Sequence, residues 1–164
     1  MGIKDLACAL ALLASTFSAW ASEELYGTWK LLSFTQEVVA TGEKTNVFGN
    51  APKGFISYSR DGRMYAILAK DERPKPNDMS KVSTEQRVEL FNSMAAYAGT
   101  FTFDGKTVTH NVDISWNENW TGTAQKRNVK VDGRKLYIAT NPIPSGIDGK
   151  PVILVLEWEK VVPR

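Results

Sequence analysis

The chain has 164 residues, of which 43% are hydrophobic and 23% charged, and this suits one folded domain with a sizeable core. Such an ordinary composition excludes an intrinsically disordered protein. The 20 Lys and Arg residues are spread along the chain and are nearly balanced by 18 Asp and Glu, so the net charge is only +2. A scattered charge of this size gives no basis for electrostatic recognition of nucleic acid, and we expect no such partner.

Residues 1–21 have the three parts of a secretory signal. Lys4 lies in a short first segment, residues 6–17 form an apolar run, and Ala19-Trp20-Ala21 is a typical cleavage site. The run is too short for a membrane span, so we expect a periplasmic or secreted protein without stable membrane insertion. The alternative is an amphipathic first helix, although no polar face is visible over the run. After cleavage of this signal, residues 22–164 would form the mature domain.

The cysteine and histidine content excludes several kinds of catalytic site. The one cysteine, Cys8, lies inside the signal, so the mature chain would have neither a disulfide nor a catalytic thiol. A zinc site built on His and Cys is also excluded, because His110 is the one histidine of the chain. The sequence contains no nucleophile elbow, phosphate-binding glycine loop or dinucleotide fingerprint. We therefore expect no metal and no cofactor.

The mature chain is predicted to be a meander of eight to ten β-strands. The stretch over residues 25–34 opens the first strand, where Gly27 allows a tight entry and Trp29 supplies a large apolar side chain. Four Asp-Gly pairs provide the positive φ that tight hairpins need. They stand at Asp61-Gly62, Asp104-Gly105, Asp132-Gly133 and Asp148-Gly149. Strand-like runs cover residues 27–39, 45–48, 54–59, 64–69, 100–103, 107–114, 120–131, 135–140 and 152–161.

One helix is predicted between the strands. Ser83 is its N-cap, Gln86 completes a capping box, and Gly99 stands where the helix should end. Apolar residues follow at helical spacing, namely Val88, Phe91, Ala95 and Ala98. We interpret this element as a short helix packed over one end of a barrel, with a mobile lid as the alternative. Residues 70–77, which precede it, contain two prolines among charges and predict a solvated loop near the barrel mouth.

Strand alternation assigns side chains to the inside or the outside of the barrel. Within residues 107–114 the inner face is predicted to carry Val108, His110, Val112 and Ile114. The inner face of the next strand carries Gln125, Arg127, Val129 and Val131. The last strand turns inward Val152, Leu154, Leu156 and Trp158. Three polar residues are thus expected in a mostly apolar interior.

These polar residues, His110, Gln125 and Arg127, are the most informative feature of the sequence. A buried guanidinium without a partner is costly, and the inner faces of the two strands carry no carboxylate. Arg127 therefore lies in water at the mouth or meets an anion inside, where its fork suits two oxygens of a carboxylate or enolate. As alternatives, His110 is a satisfied core histidine, Gln125 serves its neighbours, and Arg127 stacks on a ring or closes a barrel end. A β-bulge between Trp120 and Val131 would reverse the assignment of inward and outward side chains in that strand.

Several segments resemble the bacterial lipocalin-like domain family, a branch of the calycin-type barrels. They are residues 27–31, 54–64, 97–101, 108–110, 120–127 and 156–159. The resemblance covers essentially the whole mature chain, and it implies an all-β, antiparallel up-and-down barrel around a cavity. It also implies a basic residue over the first-strand tryptophan, for which Lys160 is the candidate. Some lipocalin-like relatives in biosynthetic clusters act as cyclases or isomerases, so the resemblance allows catalysis as well as binding.

We predict that the protein holds a small apolar or amphipathic molecule in the barrel, with an acidic or carbonyl head group oriented by Arg127, His110 and Gln125. The expected apolar lining is Trp29, Leu31, Phe55, Met64, Leu154, Leu156 and Trp158. Tyr58 is a further candidate contact, and so is Trp120 at a loop rim beside Trp116, where the alternative is a structural staple.

Two other functions are open at this point. In the first, the protein is an isomerase or cyclase that uses His110 as acid or base and Arg127 to stabilise negative charge. In the second, it is a structural or interaction module of the cell envelope, whose barrel is filled by its own side chains. In each case we expect a monomer or a weak dimer.

Overall fold

A closed antiparallel barrel forms the centre of the protein. The computed structural model describes residues 23–162, and the predicted export signal over residues 1–21 lies outside this range. The strands are β1 (Gly27–Val38), β2 (Lys44–Asn46), β3 (Lys53–Tyr58), β4 (Arg63–Ala69), β5 (Met94–Phe103), β6 (Thr107–Ser115), β7 (Ala124–Asp132), β8 (Lys135–Ala139), β9 (Ile143–Pro144) and β10 (Pro151–Lys160). Their order is β2-β1-β3-β4-β5-β6-β7-β8-β10-β9, and β1 also pairs with β10. With the short β2 and β9 set aside, eight strands close the barrel, which confirms the predicted fold.

The four Asp-Gly pairs lie at turns between neighbouring strands. Gly62, Gly105 and Gly133 have φ values of 82°, 96° and 58° and join β3 to β4, β5 to β6 and β7 to β8. Gly149, with φ 72°, lies between β9 and β10. Glycine adopts these left-handed values without steric cost. The tight turns keep consecutive strands adjacent and so produce the up-and-down order.

The predicted helix is present but shorter than expected. Helix α1 (Thr84–Asn92) begins at the N-cap Ser83, and Gln86 completes the capping box. It ends at Asn92 rather than Ala98, because the following residues pair with β4 and β6 as the strand β5. Strand pairing there outweighs the helical spacing of the apolar residues. No helix within residues 23–162 is long and apolar enough to span a membrane.

The helix lies between β4 and β5 at one end of the barrel, and it buries none of its own residues. Val88 and Phe91 are each about half exposed. The ring of Phe91 lies 6.2 Å from that of Trp116, which follows β6. The expected apolar face is therefore not buried against the barrel, because Ala95 belongs to a strand instead of the helix.

A β-bulge between β5 and β6 changes which side chains face inward. Ala98 pairs with Ile114, and the next residue, Gly99, pairs with Val112, so Asp113 is the extra residue. An extra residue reverses the alternation of the strand beyond it. The prediction that Ile114 faces inward is therefore wrong, and its side chain is 65% exposed.

A second bulge lies in β1, opposite β10. The pairing shifts between Leu31 and Ser33, which leaves Leu32 as the extra residue. Trp29 and Leu31 are buried before the bulge, and Phe34 faces the interior after it. The bulge therefore adds to the interior an aromatic ring that simple alternation would place outside.

Trp29 is buried beneath Lys160, as the resemblance implied. Its indole N–H donates to the carbonyl oxygen of Leu25 at 2.8 Å. The Lys160 ammonium lies 4.3 Å from the centroid of the Trp29 ring and donates to the carbonyl oxygen of Tyr26. This cation–π contact joins the last strand to the entry of the first and so supports closure of the barrel.

Candidate ligand-binding site

An apolar cavity lies in the interior of the barrel. The centre of a water molecule can occupy about 80 Å³ of it, within about 550 Å³ of atom-free space that includes the mouth. Its lining consists of Phe34, Ile56, Ala66, Leu68, Ala95, Tyr97, Trp120, Arg127, Ile138, Thr140, Leu154, Leu156 and Trp158. Arg127 is the one charged residue of this lining. A concave, mostly apolar site with a few polar groups is the usual form of a small-molecule site.

The side chain of Arg127 reaches this cavity from β7 without an acidic partner. Within residues 23–162 it forms no ion pair with Asp or Glu. Its Nη1 donates to the carbonyl oxygen of Lys126 at 2.8 Å, and its Nη2 donates to Oε1 of Gln125 at 3.2 Å. Burial lowers the pKa of Arg127, but a guanidinium keeps its proton near neutral pH. The cavity therefore has a positive charge at one place in its wall.

Gln125 holds this guanidinium in position. While its Oε1 accepts from Arg127, its Nε2 donates to Oγ1 of Thr123 at 2.7 Å. The hydroxyl of Thr123 in turn donates to the carbonyl oxygen of Trp120 at 2.7 Å. The hydrogen bonds thus connect Arg127 to the loop before β7, and this restricts the movement of a long side chain. Gln125 itself does not line the cavity.

His110 lies between two tyrosines in the core. It is 0% exposed, its Nε2 is 2.9 Å from the hydroxyl oxygen of Tyr58, and its Nδ1 is 3.0 Å from that of Tyr97. Tyr58 belongs to β3 and is buried, whereas Tyr97 of β5 lines the cavity. His110 does not line the cavity, and its hydrogen bond to Tyr97 connects it to the cavity wall.

The surroundings keep all three of these side chains uncharged near neutral pH. Burial, with the nearby Arg127 guanidinium as a second cause, lowers the pKa of His110 to about 3. Burial raises the pKa of Tyr97 to about 12, and the positive charge of Arg127 opposes this rise. Burial also raises the pKa of Tyr58 well above its usual value. Tyr58, His110 and Tyr97 therefore form a relay, that is, a chain of neutral hydrogen-bonding groups beside one cation.

The comparison with known families agrees with this architecture. The lipocalin-like domain family matches residues 26–161. This chain belongs to the lipocalin-like domain family. The match extends across every strand from β1 to β10 and includes the cavity and the His110 relay. A search of the curated proteins found no match to the chain.

The lipocalin-like barrel brings part of the predicted site together. The predicted contacts that line the cavity are Trp120, Arg127, Leu154, Leu156 and Trp158. Gln125, His110 and Tyr58 connect to that lining through hydrogen bonds. Trp29 and Met64 are fully buried core residues outside the lining, as is Leu31. Phe55 is 47% exposed on the outer face of β3, where it alternates with the buried Gly54 and Ile56, so its predicted place in the interior is wrong.

Eight of the 13 lining residues were not predicted as cavity contacts, and for two of them, Tyr97 and Phe34, strand pairing gives the reason. Tyr97 fell within the predicted helix, and Phe34 would face outward if β1 had no bulge. Trp120, at the end of a 3-10 turn over Glu118–Trp120, packs its ring 5.6 Å from that of Tyr97 and 5.0 Å from that of Trp116. The edge-on packing of Trp120 restrains the ring of Tyr97, so this loop residue has both a structural contact and a place in the cavity wall.

The polar chemistry of the cavity is that of hydrogen-bond donors. Arg127 provides N–H groups to this wall, and Tyr97 and Thr140 provide hydroxyls. The indole N–H of Trp158 has no acceptor among residues 23–162, but its nitrogen is enclosed and exposes almost no surface. In the same part of the chain, no group of three or more His, Cys, Asp or Glu side chains is arranged to hold a metal. Such a wall can orient a ligand through its acceptor oxygens.

A second concavity lies on the outside of the barrel across β4, β5 and β6. Its side chains include Tyr65, Ile67, Ile114 and Trp116, and no charged residue lines it. It is open to solvent and apolar, with about 770 Å³ of atom-free space, and it lacks the convergent polar groups that orient a small molecule. The interior cavity is therefore the candidate ligand site.

Proposed function

We propose that this lipocalin-like domain binds a small amphipathic molecule, with an apolar body in the barrel and an acidic or carbonyl head group at Arg127. The observation that carries the proposal is a single cation in an otherwise uncharged and mostly apolar cavity wall, without an acidic partner in residues 23–162. From the signal over residues 1–21 we further propose that binding takes place in the periplasm or outside the cell.

The unpaired guanidinium supports an acidic head group. Of the five N–H donors of Arg127, two bond to oxygens of Lys126 and Gln125. The others have no protein acceptor among the described residues, although burial removes part of their hydration. A carboxylate or enolate would accept two parallel hydrogen bonds and would neutralise the charge. This compensates for the desolvation of Arg127 better than an uncharged carbonyl does.

The remaining wall supports an apolar body. Leu154, Leu156 and Ile138 are among the apolar residues that line the cavity, and every 100 Å² of apolar ligand surface buried there is worth roughly 2.5 kcal/mol. The space is small, so the proposal favours a compact body such as one or two rings.

Binding is favoured over isomerisation or cyclisation because of where His110 lies. Its two nitrogens already bond to tyrosine hydroxyls, and the low pKa of His110, about 3, leaves no imidazolium proton to donate near neutral pH. A filled envelope module is disfavoured by the cavity itself.

The proposal predicts that Arg127→Gln weakens binding of an aromatic carboxylate at least about tenfold, since a charge-assisted pair is lost. The probe is 2-naphthoate, a compact acid, and the measurement is isothermal titration calorimetry on the folded domain. Lys126→Gln is the matched control, because it removes one positive charge from the neighbouring, outward-facing position of the same strand. This control should keep its affinity within about twofold, since an exposed charge contributes little.

Equal affinities of the wild-type protein and Arg127→Gln would contradict the head-group role, and no binding of 2-naphthoate by the wild-type protein would do the same. Native mass spectrometry of the protein purified from its own host tests the wider proposal. A retained small molecule would support a binding protein, whereas protein without such a molecule that also excludes apolar probes would favour a filled barrel.

A further inference from the structure

The hydrogen atoms of the Tyr58–His110–Tyr97 relay have two possible arrangements. A neutral imidazole carries one N–H, so it donates to one tyrosine and accepts from the other. In the first arrangement Tyr58 donates to Nε2 and the Nδ1–H donates to Tyr97. In the second arrangement Tyr97 donates to Nδ1 and the Nε2–H donates to Tyr58. The two differ in where the remaining hydroxyl hydrogen points.

Burial distinguishes between the two. Tyr58 is 1% exposed, and its hydroxyl has no partner other than His110 among residues 23–162. In the second arrangement the hydroxyl hydrogen of Tyr58 would be buried without an acceptor, and such a group is costly. In the first arrangement the hydroxyl hydrogen of Tyr58 forms a hydrogen bond to the unprotonated Nε2. The hydrogen left over then belongs to Tyr97, which lines the cavity and can meet a ligand there.

We propose that His110 carries its hydrogen on Nδ1 and thereby turns the Tyr97 hydroxyl into a hydrogen-bond donor toward the cavity, beside Arg127. This inference rests on the proposed function and names the ligand class more narrowly. The head group has at least two acceptor oxygens and a negative charge, as in a carboxylate. Tyr97 is the second head-group contact, while Tyr58 and His110 are positioning residues that fix its direction.

The other polar groups of the wall agree with a ligand that only accepts. Two acceptor oxygens nearby already accept one hydrogen bond each, Oε1 of Gln125 from Arg127 and Oγ1 of Thr140 from the backbone N–H of Leu154. A head group such as an amine or a primary amide does not neutralise Arg127 and would compete for these oxygens, so we expect it to bind more weakly than a carboxylate.

The tautomer of His110 tests the inference without a ligand. His110 is the one histidine of the chain, so uniform labelling of histidine with ¹⁵N gives a single pair of ring nitrogen signals. We expect a neutral ring with the hydrogen on Nδ1 and none on Nε2 at pH 7 in the wild-type protein. A hydrogen on Nε2, alone or on both nitrogens, would overturn the inference.

Two matched substitutions test the consequence for binding. Tyr97→Phe should weaken binding of 2-naphthoate about tenfold, because it removes a donor to a charged oxygen. Tyr65→Phe is the matched control, because it removes a tyrosine hydroxyl from the outer face of β4, where Tyr65 is 52% exposed, and it should change this affinity less than about threefold. Binding of 2-naphthamide should be at least about tenfold weaker than that of 2-naphthoate.

These outcomes separate the inference from the proposed function. If Arg127→Gln weakens binding of 2-naphthoate but Tyr97→Phe does not, the inference is wrong and the proposed function stands. If Arg127→Gln has no effect, the head-group role of Arg127 is wrong, whichever tautomer the ¹⁵N signals show.

Discussion

Lowering the pH from 7 to 4.5 is expected to reduce the free energy of unfolding by about 3 kcal/mol through His110 alone. In the unfolded chain the imidazole has its ordinary pKa of 6.5, whereas burial and the nearby Arg127 lower the pKa of His110 in the fold to about 3. Between these values the unfolded state binds one more proton than the folded state. Stability therefore falls as the pH falls, from about pH 6.5 down to about pH 3.

The full loss below pH 3 would be about 5 kcal/mol, which is a large fraction of the stability of an ordinary domain. Above pH 6.5 the ring is neutral in both states and contributes no dependence on pH. The charged and titratable groups near the ring are Arg127, Tyr58 and Tyr97. No carboxylate bonds to the ring among residues 23–162, so no local negative charge offsets the cost of its protonation.

Urea unfolding at several pH values between 7 and 4.5, on the wild-type protein and on His110→Gln, measures this effect. The carboxylates are the same in both proteins, so the difference between the two slopes isolates the histidine. The wild-type protein should lose about 3 kcal/mol more than the variant over this range. Parallel pH dependences would contradict the prediction. If His110→Gln is too unstable to compare, the ¹⁵N signals of His110 in the wild-type protein should still show a neutral ring at pH 4.5.

Replacing Gly99 with alanine is expected to destabilise the barrel by about 3 kcal/mol or more, a severe case of overpacking. A Cβ at this position would lie 1.9 Å from the carbonyl oxygen of Asn111 and 2.8 Å from its carbonyl carbon. Both are backbone atoms of β6, which the bulge brings close to β5. Since a backbone held on both sides by strand pairing cannot turn away, the strands must separate to accept the methyl group.

Gly146→Ala is the matched control for this substitution. A Cβ on Gly146 would have no atom within 4 Å, and its backbone does not have a positive φ, so the same chemical change should have little effect on stability. Chemical unfolding of the two variants and the wild-type protein gives the comparison. If Gly99→Ala were as stable as Gly146→Ala, the close approach of β5 and β6 at the bulge would be wrong.

Much of this protein was predictable from local sequence patterns. The Asp-Gly pairs marked the turns because glycine alone adopts a positive φ without strain, and they predicted the antiparallel meander. The side chains of Ser83 and Gln86 predicted the start of the helix, because a capping box acts within one turn. Alternation from Val129 correctly placed Arg127 toward the interior, since no bulge interrupts that part of β7.

Tertiary structure alone decided the features that depend on pairing between distant residues. The sequence around Ala95 and Ala98 fits a helical period, but pairing with β4 and β6 makes it a strand and so places Tyr97 beside His110. The bulges that turn Ile114 outward and Phe34 inward arise from the register of partner strands, which no local pattern encodes. The sequence by itself therefore determined the turns, the helix start and the inward arginine. The cavity and its relay required the closed barrel, because strand register and burial are properties of the whole sheet.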